Sequence, residues 1–207
     1  MLPQLLRFQS TLTKESITQQ RFKDSMARIG SQAMILTSSM NNKTSHASFR
    51  GLTLSSVSSL SLKPKPLVQF NLQVPSFTSE ALHKYKHFAI HLLKPNMVST
   101  RLARTFSKGA MVHDSSGEIV PTRPFEDLVE EKHYRTYKLS SSDLVIPILK
   151  NAERVFVCEA MEVFKVGDHE IWVGEIQDIL TNGGDQSVDG GVLYCNRKFH
   201  VLGDQIT

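Results

Sequence analysis

Three short stretches of this 207-residue chain carry residue types that could do chemistry. Ser76-Phe77-Thr78 ends the apolar run Leu67–Leu72 and opens a helical pattern. A helix N-terminus offers free N–H groups and a positive dipole end, so two hydroxyls beside it make a cradle for a phosphate-like anion. Thr53-Leu54-Ser55-Ser56-Val57-Ser58-Ser59-Leu60-Ser61 interleaves hydroxyls with apolar residues. Extended backbone with small side chains can lie flat against a planar heterocycle, and its hydroxyls and N–H groups can meet the ring's carbonyls and nitrogens. Gly167-Asp168-His169 falls at a predicted hairpin turn and sets a titratable donor at a rim. Each stretch also has a plainer reading: an ordinary N-cap, a Ser-rich surface loop and a surface histidine. Taken singly, the plainer reading is the better one.

Other chemistries are disfavoured. The chain has no G-x-G-x-x-G after a strand, no G-x-x-x-x-G-K-[ST] and no G-x-S-x-G. His87 and His91 are four apart, but their segment reads as a strand and the Glu of a zinc helix is missing, so no metal is expected. His83, His113 and His133 lack a partner pattern and read as surface residues. Cys158 and Cys195 lie far apart outside any C-x-x-C pair, which suits two small buried side chains in a reducing compartment. The net charge is +4, yet Lys and Arg are spread along the chain and only Lys63 and Lys65 make a short patch. Nucleic acid is therefore not an expected partner, whereas small anionic ligands are.

The elements that must position these groups can be read in order. With 40% hydrophobic and 21% charged residues the chain has an ordinary globular balance. Ser16 to Ile29 spaces apolar residues as a short amphipathic helix leading into a core. Strands follow at Ala33–Thr37, Phe49–Leu54 and Leu67–Val74, with a turn at Asn41–Thr44. Pro75 to Tyr85 carries helix-start signals, His87–Leu93 alternates as a strand, and Ser99–Ser107 is a second short helix. Met111 to Ser142 is polar and weakly patterned, as lids and insertions are. Ala152–Phe164 and Glu170–Leu180 make a hairpin, 181–191 a loop, Val192–Asn196 a last strand, and Lys198–Leu202 closes the chain. The elements do not alternate as βαβ units, so the expected architecture is mainly β, an antiparallel barrel or sandwich in one domain.

The N-terminus, MLPQLLRFQSTLTK, is basic, hydroxyl-bearing and free of acids before Glu15. That is the composition of a mitochondrial targeting peptide, here assigned to residues 1–20 with cleavage and a matrix location expected. Its apolar run is too short for a membrane span, and no later stretch approaches one.

Taken in order, the motifs resemble the flavin reductase-like family, the FMN-binding split barrels that include reductase partners of two-component flavin monooxygenases. The likeness covers nearly the whole chain after residue 20 and rests on five stretches. They are Gly51-Leu52-Thr53 through Ser61; Leu67–Leu72 with Ser76-Phe77-Thr78; Ala103-Arg104-Thr105-Phe106-Ser107; Gly167-Asp168-His169 through Ile176; and Leu193-Tyr194-Cys195-Asn196-Arg197-Lys198-Phe199.

The resemblance implies a six-stranded antiparallel Greek-key split barrel with a few short helices over 21–207, interrupted by a polar insertion at 112–142. It implies a homodimer binding FMN, with FAD as the alternative flavin, and NAD(P)H as co-substrate. Thr53, Leu54, Ser55, Ser56 and Val57 would line the isoalloxazine, and Ser59, Ser76, Phe77 and Thr78 would reach the ribityl chain and phosphate. Phe106 would lie beside the flavin and His169 near the nicotinamide as the catalytic residue. The basic residue usual beside S-x-T is absent, Gln73 and Val74 standing there, which leaves the phosphate to hydroxyls, backbone N–H groups and Arg104. The implied activity is hydride transfer from nicotinamide to flavin N5. A flavin-binding protein without reductase activity, acting as a mitochondrial interaction or assembly partner, is the alternative.

Overall fold

The structure, a computed structural model, describes residues 14–41, 45–109, 111–112, 119–140, 142–182 and 190–205. In chain order it has helix α1 (Lys14–Met26), β1 (Ser31–Ser39), a 3-10 turn at His46–Ser48, β2 (Phe49–Leu54), β3 (Ser58–Ser61) and β4 (Leu67–Gln73). Then come α2 (Phe77–Tyr85), β5 (His87–Leu93), α3 (Met97–Phe106), β6 (Met111–Val112), β7 (Ile119–Val120), β8 (Tyr134–Lys138) and β9 (Val145–Leu149). The long hairpin β10 (Ala152–Val166) and β11 (His169–Thr181) follows, and β12 (Val192–Cys195) and β13 (Lys198–His200) end the fold.

The main sheet is antiparallel and runs β2-β1-β5-β10-β11-β4-β3, with β12 and β13 paired onto the start of β1. Its two edges, β2 and β3, are consecutive in the chain and joined by Ser55-Ser56-Val57 alone. Three residues reach only about 10 Å, so the sheet must curl until its edges meet. Counted as one bent strand, β2 and β3 complete a ring of six, closed by the covalent chain and a bond from Asn71 N–H to Ser56 Oγ (2.9 Å) rather than by a ladder. The expected mainly β antiparallel fold is present, with the split of the barrel at this corner.

Alternation fills the interior. On β4, Val68, Phe70 and Leu72 point inward while Gln69, Asn71 and Gln73 point out. They meet Leu36, Leu54, Phe88, Ile90, Cys158 and Trp172 inside the barrel, and Leu82 of α2 plugs its end. Each large side chain fully buried here contributes roughly 1.5–3 kcal/mol. Because β4 and β5 lie on opposite sides of the ring, α2 has to cross the barrel end to connect them. Strand β5 is buried on both faces: Phe88 and Ile90 face the barrel, and Ala89 and Leu93 pack outside it.

Several expectations need correcting. Helix α1 does not lead into the core: Phe22 is 66% and Ile29 55% exposed. It is held at its C-terminal end, where Asn196 N–H donates to the Ala27 carbonyl (2.6 Å). The segment 112–142 is polar in composition, yet it buries Phe125, Leu128, Tyr134 and Leu139. Phe125 stands edge-on to Phe49, Phe106 and Tyr134, so this part of the segment builds core instead of lying over it as a lid.

Strand β9 was not expected, because Pro147 interrupts its apolar run; proline is tolerated there since the β8–β9 ribbon has only edge strands. Cys158 is buried as expected, and burial pushes its thiol far above the usual range, but Cys195 is only partly buried. The Asn41–Thr44 turn, the 181–191 loop, the targeting segment and His113 fall wholly or partly outside the described residues.

Candidate functional site

The end of β2, the end of β4 with the start of α2, and the end of α3 converge on a cavity of about 340 Å³. Helix α2 starts here because Pro75 cannot extend a ladder and Ser76, in extended conformation, caps it by accepting from Ser79 N–H (3.3 Å). Ser76, Phe77 and Thr78 line the cavity together with Thr53 and Phe106. Phe106 is fixed by close approach: a Cβ on Gly51 would stand 2.7 Å from its ring and 2.8 Å from the Leu36 carbonyl oxygen.

Five polar residues that sequence reasoning did not assign to a site also line it: Arg50, Gln73, Ser107, Lys108 and Thr122. Arg50 donates through Nη1 to the carbonyls of Ala47 (2.7 Å) and Phe49 (2.9 Å), while its buried Nε has no partner among the described residues. Burial, then the charge of Arg123, lowers the guanidinium's pKa, and Glu80 partly offsets this. Among the described residues no carboxylate lines this cavity. It is a cationic, hydroxyl-rich hollow at a helix N-terminus, built for an anion.

The rest of the Ser-rich stretch divides. Thr53 donates its hydroxyl to the Ala103 carbonyl (2.7 Å), tying β2 to α3. Leu54 and Ser55 line a second cavity of about 350 Å³, with Ala33, Thr53, Arg104, Ser107, Tyr194, Arg197 and Phe199. Arg104 therefore faces the second cavity, not the α2 N-terminus, because its side chain leaves α3 on the side of β13, 5.9 Å over the Phe199 ring. Ser56, Val57 and Ser59 line neither cavity. The Ser56 hydroxyl is engaged by Asn71, Val57 packs on the barrel core, and Ser59 pairs with Val68.

His169 sits opposite Gln73 in the β11–β4 ladder. The turn before it is pinned to the cavity rim: Val74 N–H donates to the Asp168 carbonyl (2.9 Å), and Gln73 Nε2 donates to its carboxylate (3.2 Å). His169 Nδ1 donates to Asp168 Oδ1 (2.8 Å), which leaves Nε2 at the surface. Hydrogen bonds from His169, then from Gln73, hold the Asp168 carboxyl below its ordinary value.

Next along β11, Glu170 accepts from Ser79 Oγ (2.5 Å), His83 Nε2 (2.9 Å) and Trp172 Nε1 (3.1 Å), so His83 has partners after all. Burial pushes the Glu170 carboxyl up, but hydrogen bonds from Ser79 and His83 outweigh it and the net shift is downward. This cluster clamps α2 onto the barrel and so fixes the helix end that lines the first cavity.

No group of three or more His, Cys, Asp or Glu suited to a metal exists among the described residues. His91 is fully buried: Nδ1 donates to the Ile35 carbonyl (2.9 Å) and Nε2 accepts from Leu149 N–H (3.0 Å). Burial pushes its pKa down to about 4.

Comparison with known proteins places this geometry. The flavin reductase like domain matches residues 26–203. The FMN reductase (NADH) RutF of Ancylobacter novellus is 24% identical over 187 residues, covering 90% of this chain and 87% of that protein. Among solved structures, the flavin reductase domain protein from Arthrobacter sp. FB24 superposes with a TM-score of 0.68 at 20% identity, over 91% of this chain and 98% of that one. The styrene monooxygenase flavin reductase from Pseudomonas putida S12 gives 0.64 at 19% identity, over 90% and 99%.

Proposed function

The chain belongs to the flavin reductase-like family, and from that premise we propose that it is an oxidoreductase that binds FMN and reduces it with NAD(P)H. One observation carries the flavin assignment: among the described residues, the first cavity joins the α2 N-terminus to Ser76, Thr78, Lys108 and the partnerless Nε of Arg50, with no carboxylate in its lining. This donor set suits a phosphomonoester, and Arg50 and Lys108 supply the charge that the S-x-T stretch lacks. A cavity of about 340 Å³ lies at the small end of the ~300–1,000 Å³ typical for ligand sites, so it suits the phosphate and ribityl part, with the ring reaching toward Thr53 to Ser55.

Bound flavin would supply the redox chemistry by accepting a hydride at N5 from reduced nicotinamide. The chain's part is placement: β2 gives the ring a flat wall, α2 anchors the anionic tail, and Phe106 supplies an apolar side that excludes water. His169, with its Nδ1–H engaged by Asp168, presents Nε2 at the rim as an acceptor for the amide N–H of the nicotinamide carboxamide. We assign the protein to a homodimer and to the mitochondrial matrix, the latter on the acid-free basic N-terminus. Import of the full chain into isolated mitochondria with cleavage near residue 20 is expected, and an unprocessed chain outside the organelle would exclude that location.

The decisive experiment is anaerobic. FMN-loaded protein should bleach on adding NADH or NADPH. No bleaching would leave a flavin carrier without reductase activity, and a colourless protein that takes up neither FMN nor FAD would sink the flavin reading itself.

A further inference from the structure

Leu54 and Ser55 of the second cavity belong to the flavin-ring wall, but the rest of its lining, Arg104, Tyr194, Arg197 and Phe199, has no role in the reading above. The cavity lies back to back with the first, Thr53 and Ser107 lining both. It brings together two guanidinium groups, Arg104 and Arg197, and two aromatic rings, Tyr194 and Phe199, with no carboxylate in its lining among the described residues. Arg104 lies with Cζ 5.9 Å from the Phe199 ring centroid, a cation–π contact that consumes none of its N–H donors. It forms no ion pair among the described residues. Among the described residues Arg197 makes its side-chain hydrogen bond and ion pair with the exposed Asp24, at 3.4 Å, the long end of hydrogen bonding.

The backbone under Arg197 adds a second observation. Asn196 and Arg197 are the two central residues of the β12–β13 turn, with φ of 50° and 61°. Such a turn is best served by Asn-Gly, and a side chain in the left-handed region costs free energy that glycine would not. The fold holds an arginine in that position, beside the cavity.

Resting on the reductase reading, we propose that the second cavity is the subsite for the 2′-phosphate of NADPH, so that this chain selects NADPH over NADH. The two nucleotides differ only in that phosphate. Sites that read NADH offer a carboxylate to the ribose 2′-hydroxyl, whereas sites that read NADPH offer arginine to the phosphate. Here the lining has two arginines and no acid. A phosphomonoester accepts from two planar guanidinium forks at once, which a neutral diol cannot match. Tyr194 and Phe199, with ring centroids 5.3 Å apart and planes tilted at 56°, offer the adjoining purine an aromatic face to pack on. The shared wall at Thr53 and Ser107 puts this end of the nucleotide next to the flavin cavity.

The test uses flavin-loaded full-length protein and two inert probes, 2′,5′-ADP and 5′-AMP, titrated by calorimetry. The bisphosphate should bind at least about tenfold tighter, as expected for new charge-assisted hydrogen bonds. In steady state kcat/KM should favour NADPH over NADH. Arg197→Gln should lower that ratio by about tenfold, and Arg197→Lys should restore part of it. Equal affinity for the two probes would overturn the proposal. So would an Arg197→Gln protein in which FMN or FAD binding falls as far as 2′,5′-ADP binding, because that would put the flavin itself in this cavity. If 2′,5′-ADP binds tightly through Arg197 but neither nucleotide bleaches the flavin, the reductase reading fails while the cavity stands as a nucleoside bisphosphate site.

Discussion

Arg50 is held by its Nη1 on two backbone carbonyls, and its buried Nε has no hydrogen-bond partner among the described residues. A buried donor without a partner is costly, so a ligand oxygen that meets it gains more than an exposed contact would. Arg50→Met should therefore weaken FMN binding by about 10–100-fold, the equivalent of roughly 1.5–3 kcal/mol, measured by flavin fluorescence titration. Unchanged affinity would remove Arg50 from the site.

His91 behaves oppositely, since both of its nitrogens are satisfied in the neutral form. Protonation would set an Nε2–H against the Leu149 N–H. With a folded pKa of about 4 against the ordinary histidine value of 6.5, the unfolded chain binds the extra proton first as pH falls. Stability should drop from about pH 6.5 to about pH 4, by about 1 kcal/mol per pH unit at most, and this group adds no further slope below that window. Chemical denaturation across that range should show the slope, and His91→Leu should flatten it.

At this scale sequence reading found the hydroxyls and the turn histidine, because N-caps and turns are local. Arg50 and Lys108 escaped it because nothing in FRGLT or FSKG marks a side chain aimed into a cavity; that depends on where β2, β4 and α3 converge.

Elements place these side chains through contacts too close for ordinary residues. Gly51 pairs with Thr37 on β1 while Phe106 of α3 rests against its α-carbon. A methyl group there would collide with the Phe106 ring, which can shift, and with the Leu36 carbonyl, which is locked in the sheet. Gly51→Ala should cost about 1–3 kcal/mol by overpacking and lower Tm by roughly 2–10 °C. Because Phe106 lines the first cavity, FMN affinity should fall in the same variant; a drop in Tm with unaltered flavin binding would show that the α3 contact serves stability alone.

The strands and helices that set up this convergence were legible from periodicity and caps: Phe49–Leu54 and His87–Leu93 match the structure to the residue. The segment 112–142 was not, since its few apolar residues are widely spaced. Phe125 and Tyr134 reach the core only because the barrel exposes Phe49 and Phe106 to them. Helix α1 was misjudged for the converse reason, as a pattern of spacing cannot say whether a partner surface exists in the same chain.

On the whole molecule, apolar surface remains where a lone barrel would carry polar residues. The β10–β11 hairpin extends past the core, and Phe164 (54% exposed) and Val166 (57%) project from one face of it. Phe164 is opposite the half-buried Ile171, which adds to that face, and Val166 is opposite His169. Met161 nearby, and Leu60 and Leu62 at the β3 edge, are exposed as well. Contiguous apolar surface of this kind marks an interaction site more often than a solvated one, and a stable dimer needs about 800 Å² from each partner.

The face borders the His169 turn, so a second copy seated on it would also shield the rim of the flavin cavity. Light scattering should therefore give a mass about twice 23.3 kDa at micromolar concentration. Phe164→Glu should shift it to the monomer. Because Phe164 is already half exposed within one chain, the variant should keep its fold, as judged by circular dichroism, while its flavin binds more weakly. A wild-type protein that stays monomeric, or a monomeric Phe164→Glu with full flavin affinity and turnover, would separate the dimer from the site and leave each barrel to work alone.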